Sequence, residues 1–366
     1  MGVCFMQKQY EVITSEQMMK LLNTWYIHIR EENDEIIHNI KREVDEKINR
    51  MEENQTLLVY YSLLEFRYKL LNENTIGSEA FPEKVEPEKL DDFLAYYYYF
   101  FKGMYEYSLK NYYEAISAYA FAEQKLETIP DEIEKAEFHF KVAWAFSFIP
   151  EIHISLQHVQ KAKAIFDKYP NYKHRQADCE NLLGICKILG KDFESAEIHL
   201  ISALHLAESL KNNDRLLYRI TKDLGYLYAA QNLSEKAIPY LESAYHKQKL
   251  YGYKAVFLLA REYFKIGNKQ KATEFIEKGI RMCTEIGEQD YIHHLNIINS
   301  IYNTHNKKVI LDGIAYFRQK KSWAFAEEYA KEYAGYLYQH GKFREACEYY
   351  QLALEANNKL QREDIK

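Results

Sequence analysis

The stretch LLGICKILGKDFESAEIHLISALHLAESL, residues 182–210, decides the fold. Gly184 stands in an apolar segment, Ala196 follows twelve positions later, Leu200 four beyond that, and Ala203 three beyond again. Gly190, Lys191 and Asp192 punctuate the middle, so the stretch divides into two apolar-periodic segments joined by a turn. Small side chains at Gly184, Ala196 and Ala203 let two helices cross closely, and Leu200 fills the gap beside them.

The register recurs. Gly103, Ala115, Tyr119 and Ala122 fit it, as do Gly225, Ala237, Leu241 and Ala244, with Tyr228 three after the glycine. Ala260, Ala272, Ile276 and Gly279 follow, then Ala334, Ala346, Tyr350 and Ala353. A weaker copy runs Ala143, Ser155, Val159, Ala162, and one degenerate unit is expected over roughly 289–322. This is the pattern of the tetratricopeptide repeat, a helix–turn–helix unit of about 34 residues. One unit cannot bury its apolar face alone; stacked neighbours complete the core and curl into a right-handed superhelix. The sequence therefore predicts an all-α protein with about seven such repeats over residues 93–366. The first helix of each pair is expected to line the concave face, presenting residues such as His139, Lys141, Trp144, Lys187, Lys222, Asp223, Tyr226, Arg261 and Tyr263.

Composition agrees and excludes alternatives. Gly 13 and Pro 6 in 366 residues are too few for a fold rich in tight loops. Lys+Arg 48 against Asp+Glu 54 gives a net charge of −6, which argues against a nucleic-acid binder by bulk charge. The five cysteines, Cys4, Cys179, Cys186, Cys283 and Cys347, form no Cys-x-x-Cys and are expected to be small buried thiols in a reducing compartment. The N-terminus MGVCFMQKQY lacks a signal-peptide pattern, and Met6 stands where N-myristoylation needs Ser or Thr. The densest apolar run, Phe93–Tyr105, carries a lysine and four consecutive tyrosines and reads as a buried helix, not a membrane span. A soluble intracellular protein is expected. The 33 tyrosines are expected to fill seams between helices, with hydroxyls reaching water or a groove.

Residues 1–75 depart from the repeat. Apolar spacing predicts helices around Ser15–Arg30, Asp34–Asn54 and Gln55–Asn72, the second amphipathic along Ile36, Ile40, Val44, Ile48 and Met51. Residues 1–75 are read as a three-helix bundle and residues 76–92, within the Pro-containing stretch ENTIGSEAFPEKVEPEKLD, as a linker. No helix–Gly turn–helix with a basic recognition face occurs, so a DNA-reading role for the bundle is disfavoured.

Three motifs together, MEENQTLLVYYSLLEFRYKLL (51–71), YYFFKGMYEY (98–107) and DEIEKAEFHFKVA (131–143), resemble the Rap family of response regulator aspartate phosphatases and inhibitors. The resemblance covers the whole chain. It implies a bundle that places a glutamine beside the aspartyl phosphate of the sporulation phosphorelay regulator. The glutamine matching that motif is Gln55, flanked by Glu52, Glu53, Asn54 and Leu58 as regulator-binding candidates. An acyl phosphate is already reactive, and Mg²⁺ sits on the substrate protein, so the chain needs no cofactor of its own. A side-chain amide that accepts from water and donates to a phosphoryl oxygen supplies the missing orientation. Asn54 and Thr56 stand where acidic residues are found in family phosphatases, which bears on which regulator docks. Other family members block DNA-binding response regulators without catalysis, and a generic repeat scaffold is the blander alternative.

The resemblance also implies that the repeats bind a short Phr-type peptide and that binding compacts the protein. The family's backbone-holding asparagine and aspartate stretches depart here. Cys186 and Ile188 or Leu189 stand in the first, and Asp223, Tyr226 and Ala229 in the second. Each lost clamp weakens an ordinary peptide by roughly 1–3 kcal/mol. An unusual peptide or no peptide control is therefore expected, with Lys141, Trp144, Lys187, Asp223 and Tyr226 as candidate groove residues. No phosphate-binding glycine loop or nucleophile elbow is present. His293–His294 lacks a metal-ligand pattern, and the basic runs Lys307–Lys308 and Arg318–Lys321 read as solvated faces; no metal, membrane or nucleic-acid partner is expected.

Overall fold

The structure is a computed structural model. It describes residues 12–363 apart from 33, 72–80, 83–84, 212 and 248–251. Cys4 and much of the expected linker lie outside the described residues. The described residues form 17 α-helices. They fall into two compact units, Met1–Cys179 and Glu180–Lys366.

The first unit opens with helices α1 (Ser15–Glu31), α2 (Asp34–Ile48) and α3 (Gln55–Lys69). Helix α1 packs on both α2 and α3. Its start is fixed by a reciprocal cap, in which Gln17 N donates to Thr14 Oγ1 and Thr14 N donates to Gln17 Oε1. Its buried stripe is Met18, Leu22, Trp25, Tyr26 and Ile29. Helix α2 ends at Ile48, short of the expected Asn54, because Met51 is captured in a backbone bridge to Ile13. Its inward stripe begins at Ile37, fully buried, while Ile36 is exposed.

Helices α4 (Asp92–Ser108), α5 (Tyr112–Leu126), α6 (Glu132–Phe146) and α7 (Ile152–Phe166) continue this unit as two hairpins. Helix α4 packs against α3, α5 and α6, which explains the all-round apolar run of its sequence. Tyr96, Tyr97, Tyr98, Phe100 and Phe101 are all buried there. Helix α8 (Lys173–Leu189) contains the division between the units.

The second unit holds α9 (Phe193–Glu208), α10 (Asp214–Ala230), α11 (Ser234–Lys247), α12 (Tyr253–Lys265), α13 (Lys269–Ile286), α14 (Gln289–Asn299), α15 (Lys307–Gln319), α16 (Trp323–Gln339) and α17 (Phe343–Glu363). Helices α14 and α15, joined by a π-helical turn at Ser300–Thr304, occupy the range 289–322 where a degenerate unit is expected.

The repeat register has a direct steric cause. A methyl group on Gly103 would meet the Tyr119 ring at 2.4 Å, one on Gly184 would meet Leu200 at 2.6 Å, and one on Gly225 would meet Leu241 at 2.5 Å. In the weaker copy the serine hydroxyl takes part: Ser155 Oγ donates to the Ala143 carbonyl at 2.8 Å.

Two sequence expectations are corrected. Cys179, Cys186 and Cys283 are buried, but Cys347, on α17, is exposed. Many tyrosine hydroxyls end on carboxylates of neighbouring helices instead of water. Tyr263 reaches Glu242 at 2.6 Å, Tyr302 reaches Glu332 at 2.6 Å, and Tyr316 reaches Asp290 at 2.7 Å. The reason is geometric: a ring long enough to fill a seam carries its hydroxyl across to the next helix.

Candidate functional site

The turn before α3 is held by the segment before α1. Ile13 N donates to Arg50 O and Glu52 N to Ile13 O, both at 3.0 Å, forming a short parallel bridge. Ser15 N then donates to Glu52 Oε2 at 3.0 Å, and Asn54 Nδ2 donates to Ser15 Oγ at 3.2 Å. Asn54 also caps α3, its Oδ1 accepting from Leu57 N at 3.1 Å. Leu57 is buried and anchors the helix end.

Gln55 is the first residue of α3 and is exposed. The first turn of α3 carries no acidic residue, so its free N–H groups present a partial positive charge beside the Gln55 amide. Glu53 is exposed, and Leu58 is 39% exposed despite its apolar side chain. The five residues singled out around Gln55 thus split. Gln55, Glu53 and Leu58 are exposed without a hydrogen bond of their side chains to other described residues, whereas Glu52, also exposed, and the half-buried Asn54 are tied to Ser15 as braces.

The groove candidates also divide. Lys141 and Trp144 lie on α6 in the first unit, with the Lys141 ammonium 5.4 Å from the Phe140 ring centre. Burial, with the neighbouring Arg175 guanidinium, pulls Lys141 down to about 8. In the second unit Asp223 is buried, accepts from Asn181 Nδ2 at 2.9 Å and pairs with Lys222. Asn181 Oδ1 is buried without a hydrogen-bond partner among the described residues. Burial raises the Tyr226 hydroxyl above its ordinary value, with Glu328 adding to the effect. Arg261 pairs with Glu328 at 2.8 Å and Glu332 at 3.3 Å. Lys187 is tied to Asp192 at 3.0 Å at the α8–α9 turn. Cys186 and Ile188 are buried, so neither offers a polar contact to a groove.

Sequence reasoning missed a buried ionic network in the first unit. Arg30 Nη1 contacts Glu134 Oε2 at 2.9 Å and Asp131 Oδ2 at 2.7 Å. Glu134 Oε1 accepts from Tyr26 at 2.9 Å and Tyr96 at 3.0 Å. Arg175 pairs with Glu137, with Glu32 at 2.8 Å and with Asp178 at 3.0 Å. These bonds tie the end of α1 to α6 and α8. Burial pushes Glu134 up, whereas Arg175 holds Glu137 below the usual carboxylate value against its own burial. The signal was present in the motif 131–143: two acids three apart, Glu134 and Glu137, share one side of α6 with Phe138, Lys141 and Ala145.

Comparison with known proteins places this arrangement. A family profile described as response regulator aspartate phosphatase H, N terminal, matches residues 12–73. Response regulator aspartate phosphatase I of Bacillus subtilis (strain 168) is 30% identical, over 97% of this chain and 93% of its own length. Response regulator aspartate phosphatase H of the same organism is 31% identical, over 96% and 97%. The crystal structure of a Rap protein complexed with competence and sporulation factor is 29% identical and superposes with a TM-score of 0.87, covering 95% of this chain and 99% of that one. An N-terminal helical domain followed by paired repeat helices defines a repeat-built regulator. The chain belongs to the Rap family, whose relatives are named either aspartate phosphatases or regulatory proteins. Among the described residues, no helix is long and apolar enough to cross a membrane.

Proposed function

We propose that the protein is an intracellular response regulator aspartate phosphatase acting on the phosphorylated regulator of a sporulation phosphorelay. The observation that carries this reading is the setting of Gln55: outward-facing, without a side-chain partner among the described residues, at the positive end of α3 and on a braced turn. The reaction asks little of the protein. Water attacks the acyl phosphate in line, and Mg²⁺ on the regulator neutralises the phosphoryl oxygens. The Gln55 carbonyl oxygen accepts from that water while its amide N–H donates to a phosphoryl oxygen. Its contribution is orientation. Glu53 and Leu58 supply a charged and an apolar contact to the regulator's surface, and Glu52 and Asn54 hold the turn.

The repeats are the seat of peptide control in this reading, with Lys141 and Trp144 as candidate contacts in the first unit and Lys187, Asp223 and Tyr226 as candidates in the second. Two of the solved Rap relatives carry a competence factor or a Phr* peptide. The lost polar positions at Cys186 and Ile188 point to a peptide differing from the ordinary pentapeptides. A second reading follows from the relatives named regulatory proteins and from the uncharged Asn54 and Thr56 beside Gln55. In it the same surface captures a DNA-binding response regulator without hydrolysis.

The test follows phosphate loss from phosphorylated regulator with wild type and Gln55→Ala. Faster loss with wild type alone, at similar regulator affinity, supports hydrolysis. No acceleration, but stoichiometric capture of a DNA-binding regulator, moves the conclusion to the second reading.

A further inference from the structure

The seam between α5, α6 and α7 holds one cluster that the phosphatase reading does not use. His139 on α6 and His158 on α7 turn their Nδ1 atoms toward each other at 3.0 Å. Glu123, on α5, brings a carboxylate oxygen to the same place, so that one ligand atom from each residue lies within 4.8 Å of the others. The carboxylate has no hydrogen bond or ion pair with another described residue. His158 is buried and His139 half-buried, while Glu123 is exposed and opens the site to solvent. The rings are fixed by packing: Phe146 stacks on His158 at 6.1 Å, and Phe138 meets His139 edge-on at 5.5 Å.

We propose that Glu123, His139 and His158 form a zinc site that clips α5, α6 and α7 together. Two imidazole nitrogens on one tetrahedral zinc at about 2.0–2.1 Å stand about 3.3 Å apart, so the observed pair needs to open by only a few tenths of an ångström. Two nitrogens and one carboxylate oxygen suit a borderline divalent ion, and water completes the fourth position. Binding requires both rings to carry their single proton on Nε2. The present Nδ1–Nδ1 hydrogen bond needs one ring with its proton on Nδ1, so that proton transfers to Nε2 as the ion enters. Burial disfavours a second proton on either ring, and the nearby Lys161 ammonium acts in the same direction. Lys161 also opposes the ion, which the Glu123 charge offsets.

The full-length chain, stripped with chelator and desalted, is titrated with Zn²⁺ by calorimetry at pH 7.5 and with Co²⁺ followed by visible absorption. The expected result is one equivalent of Zn²⁺ and the intense visible bands of tetrahedral Co²⁺. Glu123→Gln, at an exposed position, should weaken binding on the order of tenfold or more. His158→Phe, which keeps a ring against Phe146, should abolish it. Thermal unfolding of wild type should rise with Zn²⁺ concentration, because only the folded chain holds the three ligands together. Absence of stoichiometric uptake by wild type, or equal uptake by wild type and Glu123→Gln, overturns the proposal; equal uptake places the ion elsewhere.

Discussion

Removing the Glu134 side chain should cost the first unit more than any surface change. The carboxylate is completely buried and accepts from three donors: the Arg30 guanidinium and the hydroxyls of Tyr26 and Tyr96. Glu134→Ala strands both hydroxyls and takes from Arg30 one of its two carboxylate partners. Breaking a buried ion pair costs about 3–5 kcal/mol, and each stranded hydroxyl adds about 1–3 kcal/mol when it stays dry. Asp131, partly exposed, still reaches Arg30 at 2.7 Å and limits the loss. A net destabilisation of about 4 kcal/mol follows. With a urea dependence of about 2 kcal/mol/M, the transition of this unit moves down by about 2 M. Urea unfolding is followed by fluorescence and far-ultraviolet circular dichroism, since Trp25 lies on the same helix as Arg30 and both probes are needed for a chain of two units. A double-mutant cycle with Arg30→Met separates the pair from its surroundings and should give a coupling of about 1–3 kcal/mol. A midpoint shift below about 0.3 M, or additive single changes, would refute the argument that this contact holds α1 on α6.

Other outcomes follow from the same geometry. Gly225→Ala drives a methyl into Leu241 and should destabilise by about 1–3 kcal/mol, with partial recovery in Gly225→Ala/Leu241→Ala, read by thermal unfolding. Asn54→Ala removes the cap of α3 and the brace to Ser15; it should cost about 1 kcal/mol and lower the rate of regulator dephosphorylation more than regulator affinity. Lys141→Met should raise thermal stability at pH 7. The folded-state value of Lys141 is pulled down to about 8 from an unfolded 10.5, so the cost of burying its charge is full below pH 8 and is relieved as pH rises from 8 to 10.5. The advantage of the variant should shrink over that window, and an advantage independent of pH would contradict the assignment.

The repeat region was legible because its rule is steric and local. Gly184, Ala196 and Leu200 must be small, small and large wherever two helices cross, and the spacing survives in the chain. What was not legible depended on partners far away in sequence. The amphipathic stripe of α2 runs on through Met51, yet the backbone there is taken by Ile13 and the helix ends at Ile48. Gln55 could be singled out by its motif, but the brace from Ser15, 39 residues before Asn54, could not. Glu134 and Glu137 were read as part of a motif and not as buried charges, because acids on a helix are ordinarily solvated and their arginines come from α1 and α8. Cys347 carried no local sign of its exposure.

The glycine–large-residue pairs have an evolutionary consequence. Gly103 with Tyr119, Gly184 with Leu200 and Gly225 with Leu241 each divide one fixed volume between two side chains. Enlarging one partner is tolerated only if the other shrinks, and shrinking one alone leaves a void. Because each couple divides one volume, such positions should change two at a time, sixteen residues apart, while the outward faces of the same helices are free to change singly. A repeat of this kind can rewrite its exposed faces without touching its seams, so one scaffold can change what it presents to a partner and keep its packing.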